Sequence, residues 1–389
     1  MNQHIKAALA AYITLRIAAS VWAVVLLATF PFVVEPDSQV ANDLAVAAPH
    51  DGVLSEWLIQ PWFRWDTLSY TTIAHAGYGD IERGLTAFLP VYPALIALLG
   101  RLLCGEYLLA ALIISNVSAV AAFALLHRLV TRQHGVETAH RTLAYLVLFP
   151  TSFFFVAAYT ESLFLLLVLL CFDATNRRRW LRAGVWGVLA IFTRWQGVAL
   201  VPALGIMVWR HRRVSAAFWR SAAGLSIIPV AGAGGLLAMR ATLGARALPW
   251  NGYQDTWHSA FVWPGAALGR SALAAMGVLS TGGDPAAIVI CNVVAAAVFY
   301  ALLLAFIRRH ALWYTGVFGL TAHTITVSRV VYGTVLQSTM RYVLVLFPAF
   351  VVLAQIGERR AWLHRVYVYT SAALWLVFCA LFVLWRWVA

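Results

Sequence analysis

Asp66 is a carboxylate set among aromatic side chains, in the run Trp62-Phe63-Arg64-Trp65-Asp66-Thr67. Such surroundings partly desolvate the carboxylate and make it a better base. The alternative is a solvated or helix-capping aspartate. Glu161, in Ala158-Tyr159-Thr160-Glu161-Ser162, is flanked by apolar residues on both sides. A glutamate at mid-membrane costs about 2.5–3.5 kcal/mol, so it should face a cavity or meet a cation. Arg194, in Thr193-Arg194-Trp195-Gln196-Gly197, is the matching cation. A structural ion pair and a substrate-orienting cavity wall both satisfy this pattern. Arg341, in Ser338-Thr339-Met340-Arg341-Tyr342, follows Arg329 in the same loop. Arginine suits planar, bidentate capture of phosphate; a snorkelling interface arginine is the alternative. The histidines are dispersed, without a pair at metal-ligand spacing. Asp80/Glu82 and Asp66/His75 are the pairs that could hold a divalent ion, and nothing in the sequence requires a metal. No Walker motif, dinucleotide fingerprint or Ser-His-Asp order is present.

The elements that must position these residues are membrane helices. Of 389 residues, 62% are hydrophobic and only 11% charged, against about 25% charged in soluble domains. A soluble fold could not hide that much apolar surface, and a disordered chain would not carry it. Apolar runs of membrane-spanning length recur from end to end, which predicts an all-α polytopic membrane protein rather than a β-barrel. The net charge of +13 sits mostly in short basic loops between apolar runs. That is the pattern of the positive-inside rule, and nucleic acid is not an expected partner. Cys104, Cys171, Cys291 and Cys379 are scattered and suggest neither a disulfide framework nor a zinc site.

Candidate spans run over about 7–33, 107–127, 140–156, 159–175, 183–193, 197–209, 216–240, 286–307, 311–328, 341–357 and 364–387, in one domain, 1–389. The basic clusters Arg128/Arg132/Arg141, Arg177/Arg178/Arg179/Arg182, Arg210/Arg212/Arg213/Arg220, Arg308/Arg309 and Arg359/Arg360/Arg365, with Lys6 and Arg16, fall on the cytoplasmic side. Parity then puts Tyr159-Thr160-Glu161-Ser162 and Thr193-Arg194-Trp195-Gln196-Gly197 at outer hairpin tips. Residues 34–106 and 241–285 become outer excursions. Pro90 and Pro93 predict that 87–103 is an interfacial or dipping helix. A short helix from about Pro61, capped by Gly77, should carry Asp66, Ser69/Tyr70 and Ile73 on one face.

The motifs Arg64-Trp65-Asp66, Ile73-Ala74, Gly77-Tyr78, Ala87-Phe88-Leu89-Pro90-Val91-Tyr92-Pro93, Ala158-Tyr159-Thr160-Glu161-Ser162, Thr193-Arg194 with Gly197, and Met340-Arg341-Tyr342 occur in that order. Together they resemble the PIG-V family, the GPI mannosyltransferase 2 type, and its bacterial relatives among the GT-C membrane glycosyltransferases. The resemblance covers about residues 60 to 350. It implies a bundle of about 10–12 transmembrane helices with a large first outer loop carrying juxtamembrane helices. It implies a polyprenyl-phosphate sugar donor, most simply polyprenyl-phosphate-mannose, and no nucleotide. Asp66 would be the catalytic base. Arg64, Trp65, Glu161, Arg194, Gln196, Arg341 and Tyr342 would line the substrate site, with Arg341 on the phosphate. Trp195-Gln196 depart from the small or polar residues expected after Thr193-Arg194, which bears on the acceptor. The acceptor would be a lipid, glycan or protein, and the site would open on the extracytoplasmic face of a bacterial cell membrane, or on the lumenal face of an endoplasmic reticulum. The rival from another class is a polytopic transporter or lipid flippase, which would need midplane polar residues in inverted repeats.

Overall fold

The computed structural model describes residues 2–30, 53–79, 84–210, 215–244, 248–281, 285–331 and 335–388. Residues 34–52 of the first excursion, with Asp80, Glu82, Arg212 and Arg213, lie outside the described residues. The chain is a helical, multi-pass integral membrane protein. Among the described residues, five helices are long and apolar enough to cross a membrane: Gln3–Thr29, Tyr107–His134, Phe218–Leu243 (the apolar part of Ser215–Leu243), Ala286–Arg309 and Ala361–Val383. A sixth span arises if Thr339–Val345 and Phe347–Arg359, bent by 86°, are joined.

By length, five or six elements among the described residues qualify, against the eleven candidate spans read from hydropathy. The other runs form shorter helices: Val136–Leu148 (13 residues), Glu161–Asn176 (16), Trp180–Ile191 (12), Leu200–Arg210 (11) and Trp313–Val327 (15). A straight crossing takes about 20 residues. Proline marks two of the breaks. The 140–156 run stops as a helix at Leu148, where Phe149 takes the extended conformation that Pro150 demands, and continues as a 3-10 turn, Ser152–Phe155. The 341–357 run bends at Leu346, and Pro348, which cannot donate a helical hydrogen bond, sits in the first turn of the helix that follows, Phe347–Arg359.

The chain divides into two compact units, each described by itself. Unit 1 comprises residues 1–79, 90–166 and 354–388; unit 2 comprises 80–89 and 167–353, with 389.

In unit 1, Gln3–Thr29 packs against Tyr107–His134, Val136–Leu148 and Ala361–Val383. Ala8, Leu15, Ala19, Ala23 and Leu26 bury one stripe of the first helix, while Ile13, Ile17 and Val21 are exposed. A helix apolar on both its buried and its outward faces belongs in lipid. Polar side chains stitch these helices together. Tyr12 donates to Asn116 Oδ1 at 2.8 Å, Trp22 to the Leu376 carbonyl at 2.9 Å, and Tyr367 to the Tyr145 carbonyl at 2.7 Å. Arg16, grouped above with the cytoplasmic charges, lies midway along the first helix. It donates to the carbonyls of Leu58 (3.1 Å) and Val156 (3.4 Å), and its guanidinium stands 5.4 Å from the Trp62 ring centroid. A buried arginine needs such acceptors, and here they come from the segments beside the Asp66 and Glu161 motifs.

In unit 2, Trp180–Ile191 lies against Ser215–Leu243, where Gly184 meets the Gly224 carbonyl so closely that a Cβ at Gly184 would collide with it. Small residues of this kind let helix backbones approach in a membrane. Ala286–Arg309 packs on Trp313–Val327 and Pro264–Ala275. The all-α reading meets one exception: Ala260–Phe261 pairs antiparallel with Arg329–Val330 in a two-stranded ribbon, Ala260 opposite Val330.

Candidate functional site

Asp66 opens the helix Asp66–Ala76 in unit 1 and is buried. The first-turn position sets a carboxylate against the positive end of the helix dipole. As the sequence predicts, Gly77 closes this helix, in a conformation with φ +77° that favours glycine. The start differs from the expected continuous helix. Gln60–Trp62 forms a separate 3-10 turn, and Trp65 sits at φ 53°, ψ −116°. A tryptophan at positive φ is a strained residue that its surroundings must hold.

Two sets of contacts hold it. The first comes from the Ala158-Tyr159-Thr160-Glu161 motif. Tyr159 Oη donates to the Arg64 carbonyl at 2.9 Å, and Thr67 Oγ1 donates to the Ala158 carbonyl at 3.2 Å. The Tyr70 and Thr160 hydroxyls meet at 3.4 Å. Behind them, Tyr92 Oη lies 2.7 Å from Ser115 Oγ, which donates to the Tyr159 carbonyl at 2.7 Å. The Tyr70 ring stands edge-on to Tyr92, with centroids 5.0 Å apart. Motifs some 90 residues apart in sequence are thus bonded backbone to side chain in both directions. Thr160 and Glu161 are fully buried at the start of Glu161–Asn176.

The second set comes from residues 382–388. Arg64 Nε donates to the Val383 carbonyl at 3.1 Å, and Arg64 Nη1 turns back to the carbonyls of Gln60 (2.6 Å) and Phe63 (2.9 Å). Its guanidinium lies 4.6 Å from the Trp385 ring centroid. Burial pushes the Arg64 guanidinium down, to about 9, which leaves it cationic at neutral pH. Trp65 is walled edge-on by Trp385 (5.7 Å) and Trp387 (5.2 Å), and its buried indole N–H has no hydrogen-bond partner among the described residues. Arg64, expected to line a substrate site, therefore spends its donors on the protein's own carbonyls. Trp385 and Trp387 carry no motif and were not legible as site residues.

Unit 2 holds the remaining candidates. The chain turns after Trp180–Ile191 through Thr193 and Arg194 into the 3-10 turn Trp195–Ala199. Gly197 closes this turn against Ile191, where a Cβ would lie 2.7 Å from the Ile191 Cα. Arg194 and Gln196 are buried. The Thr339–Tyr342 turn is seated by Asn292, whose Oδ1 accepts from the Met340 amide at 3.0 Å. Tyr342 is then shared by three cations. The guanidinium carbons of Arg194, Arg341 and Arg329 lie 4.9, 5.1 and 5.6 Å from its ring centroid. Arg329 also donates to Tyr342 Oη at 3.1 Å and stacks 4.5 Å from the Tyr253 ring centroid. A small cavity of about 20 Å³ lies beside this group, lined by Gln196, Arg329 and Tyr342 with the aromatic residues Trp195, Trp250 and Tyr253. Each cation–π contact offsets part of the cost of burying a guanidinium, but gathered like charges still favour an anion among them. Tyr253 and Trp250, from the helix Pro249–Trp257, were missed in the sequence because nothing local marks them.

Glu161 belongs to unit 1 and Arg194 to unit 2, and each is described within its own unit. Among the described residues, no group of three or more His, Cys, Asp or Glu side chains could hold a metal ion. His75 is exposed and tilts its ring against Tyr107. Comparison with known proteins gives no match: no family model, no curated sequence and no solved structure aligns with this chain.

Proposed function

We propose that this chain is a membrane glycosyltransferase of the GT-C kind that its motifs resemble. It moves a sugar, most simply mannose, from a polyprenyl-phosphate donor to a hydroxyl of a lipid, glycan or protein acceptor on the extracytoplasmic face. The observation that carries this reading is the clamp on Asp66: a buried carboxylate opening a helix, next to a strained Trp65, held from both sides by Tyr159, Thr67 and the residue 383–387 wall. Strain held in place by its surroundings is a mark of functional sites. Support of a different kind comes from unit 2, where Arg194, Arg329 and Arg341 around Tyr342 make a group suited to a phosphate.

The reaction is a single inverting displacement. Asp66 takes the proton of the acceptor hydroxyl as its oxygen attacks the anomeric carbon. The bond from that carbon to the phosphate oxygen breaks, and the lipid phosphate leaves with the electron pair. Arginine neutralises the charge that builds on the phosphate, a term of several kcal/mol in comparable sites, about 3–4 for one well-placed donor. The free Trp65 indole N–H offers a donor for a sugar hydroxyl.

The test is transfer from polyprenyl-phosphate-mannose by the purified full chain. Asp66→Asn should lower kcat by about a thousandfold, within the range for loss of a general base, while thermal unfolding stays that of the native protein. Near-native turnover by the folded variant removes Asp66 as the base. No transfer by the native chain with any lipid or glycan acceptor, together with vesicle uptake of the same lipid, favours a transporter.

A further inference from the structure

A basic turn in unit 2 is unused by the proposed chemistry. It joins Glu161–Asn176 to Trp180–Ile191 in residues 177–179. The turn is closed by two backbone bonds, Arg178 amide to Thr175 carbonyl (2.9 Å) and Arg179 amide to Ala174 carbonyl (2.8 Å), with Arg178 at φ 56°. Beside it lies an open cleft of about 440 Å³. Arg177, Arg179 and Arg182 line it together with Leu181, Val185 and Trp186.

The charges there are not equivalent. Asp173 takes the Arg177 guanidinium at 2.8 Å and offsets it. Arg179 and Arg182, three residues apart and both exposed, face one side of the helix as cations in excess. Lining the same cleft, Leu181 (64% exposed) and Val185 (46% exposed) present apolar surface, and the half-buried Trp186 supplies an amphipathic ring of the kind that settles at headgroup depth. Two cations beside an apolar wall match a molecule with a negative head and a hydrocarbon tail. A free inorganic anion would leave the wall unused and the cleft mostly empty.

We propose that this cleft is a binding site for an anionic phospholipid, its phosphate held by Arg179 and Arg182 and an acyl chain laid along Leu181, Val185 and Trp186. None of the residues assigned to transfer lines this cleft, and the proposal does not depend on that assignment. Basic pockets between membrane helices are suited to acidic headgroups, each basic side chain adding attraction near the surface.

The experiment is native mass spectrometry of the full chain released from nanodiscs, titrated with phosphatidylglycerol or phosphatidylcholine. The native protein should retain phosphatidylglycerol about tenfold or more in preference, the order expected for two engaged basic groups. Arg179→Gln with Arg182→Gln should reduce that preference to near unity. Leu181→Ser with Val185→Ser should weaken both lipids while keeping their order. Arg308→Gln with Arg309→Gln, an exposed basic pair at another helix end, should leave the preference intact and controls for bulk charge. Equal retention of the two lipids by the native chain overturns the proposal. So does an equal loss in the Arg308/Arg309 control, or full displacement of phosphatidylglycerol by millimolar inorganic phosphate. All variants change exposed side chains, and an unfolding temperature matching the native chain identifies those to be scored.

Discussion

The Asp66 motif in unit 1 and the Arg341 motif in unit 2 are built on different forces. Around Asp66 the contacts are mainly directional hydrogen bonds to backbone carbonyls: Tyr159 to the Arg64 carbonyl, Thr67 to the Ala158 carbonyl, and the cationic Arg64 to the Val383 carbonyl. They fix the backbone on either side of Asp66. Around Tyr342 the contacts are cation–π stacks from Arg194, Arg329 and Arg341, each with a soft distance dependence. The contrast suits the two tasks proposed for them. A base gains from rigid orientation, and a phosphate clamp gains from concentrated charge.

That contrast can be broken by kinetics. Substitutions in the acid motif should act on kcat, and those in the arginine group should act mainly through KM. The largest effect is the loss of about a thousandfold in kcat already set out for Asp66→Asn. Next, Arg341→Gln should lower kcat/KM by about a hundredfold, the equivalent of roughly 2–3 kcal/mol for a charge-assisted contact. Most of that loss should appear as a raised KM for the lipid phosphate donor. A fall in kcat alone would mean that Arg341 serves the chemical step rather than binding. Trp387→Ala, which removes one wall of Trp65 without touching Asp66, should lower kcat by about tenfold through misplacement. Trp387→Phe should restore most of it, and unaltered helix content by circular dichroism checks the fold. The smallest change is Tyr159→Phe, which deletes one hydrogen bond to the Arg64 carbonyl, worth about 1 kcal/mol. Thermal unfolding in detergent should show that loss, with turnover reduced only a few-fold. A larger effect from Tyr159→Phe than from Trp387→Ala would reverse the ranking of the two supports of the motif.

Much of the scaffold is legible in the sequence because length and hydropathy are local. The spans near 107–127, 216–240 and 286–307 appear as long helices, and Pro90 caps Val91–Leu102 as proline spacing suggests. The shorter runs are less legible, because hydropathy does not register the local backbone demand of Phe149-Pro150 or the bend at Leu346. At the candidate site, Asp66, Glu161, Arg194, Arg341 and Tyr342 could be singled out from local surroundings. The stacking of Arg329 on Tyr342 and Tyr253 could not, since it depends on a turn, a ribbon and a helix that meet only in the fold. The contacts of Arg16 were illegible for a related reason: its carbonyl acceptors at Leu58 and Val156 are remote in sequence.

The bond from Arg64 to the Val383 carbonyl joins positions 319 residues apart. A ribosome delivers these residues in order, so the stretch that carries the acid motif leaves the tunnel long before the segment that walls it. Until residues 383–387 emerge, Trp65 lacks the rings of Trp385 and Trp387, and Arg64 lacks one carbonyl and one aromatic face. The strained turn before Asp66 would have little to hold it during that interval. Packing around Trp65 and Arg64 is therefore completed only once residues 383–387 have emerged.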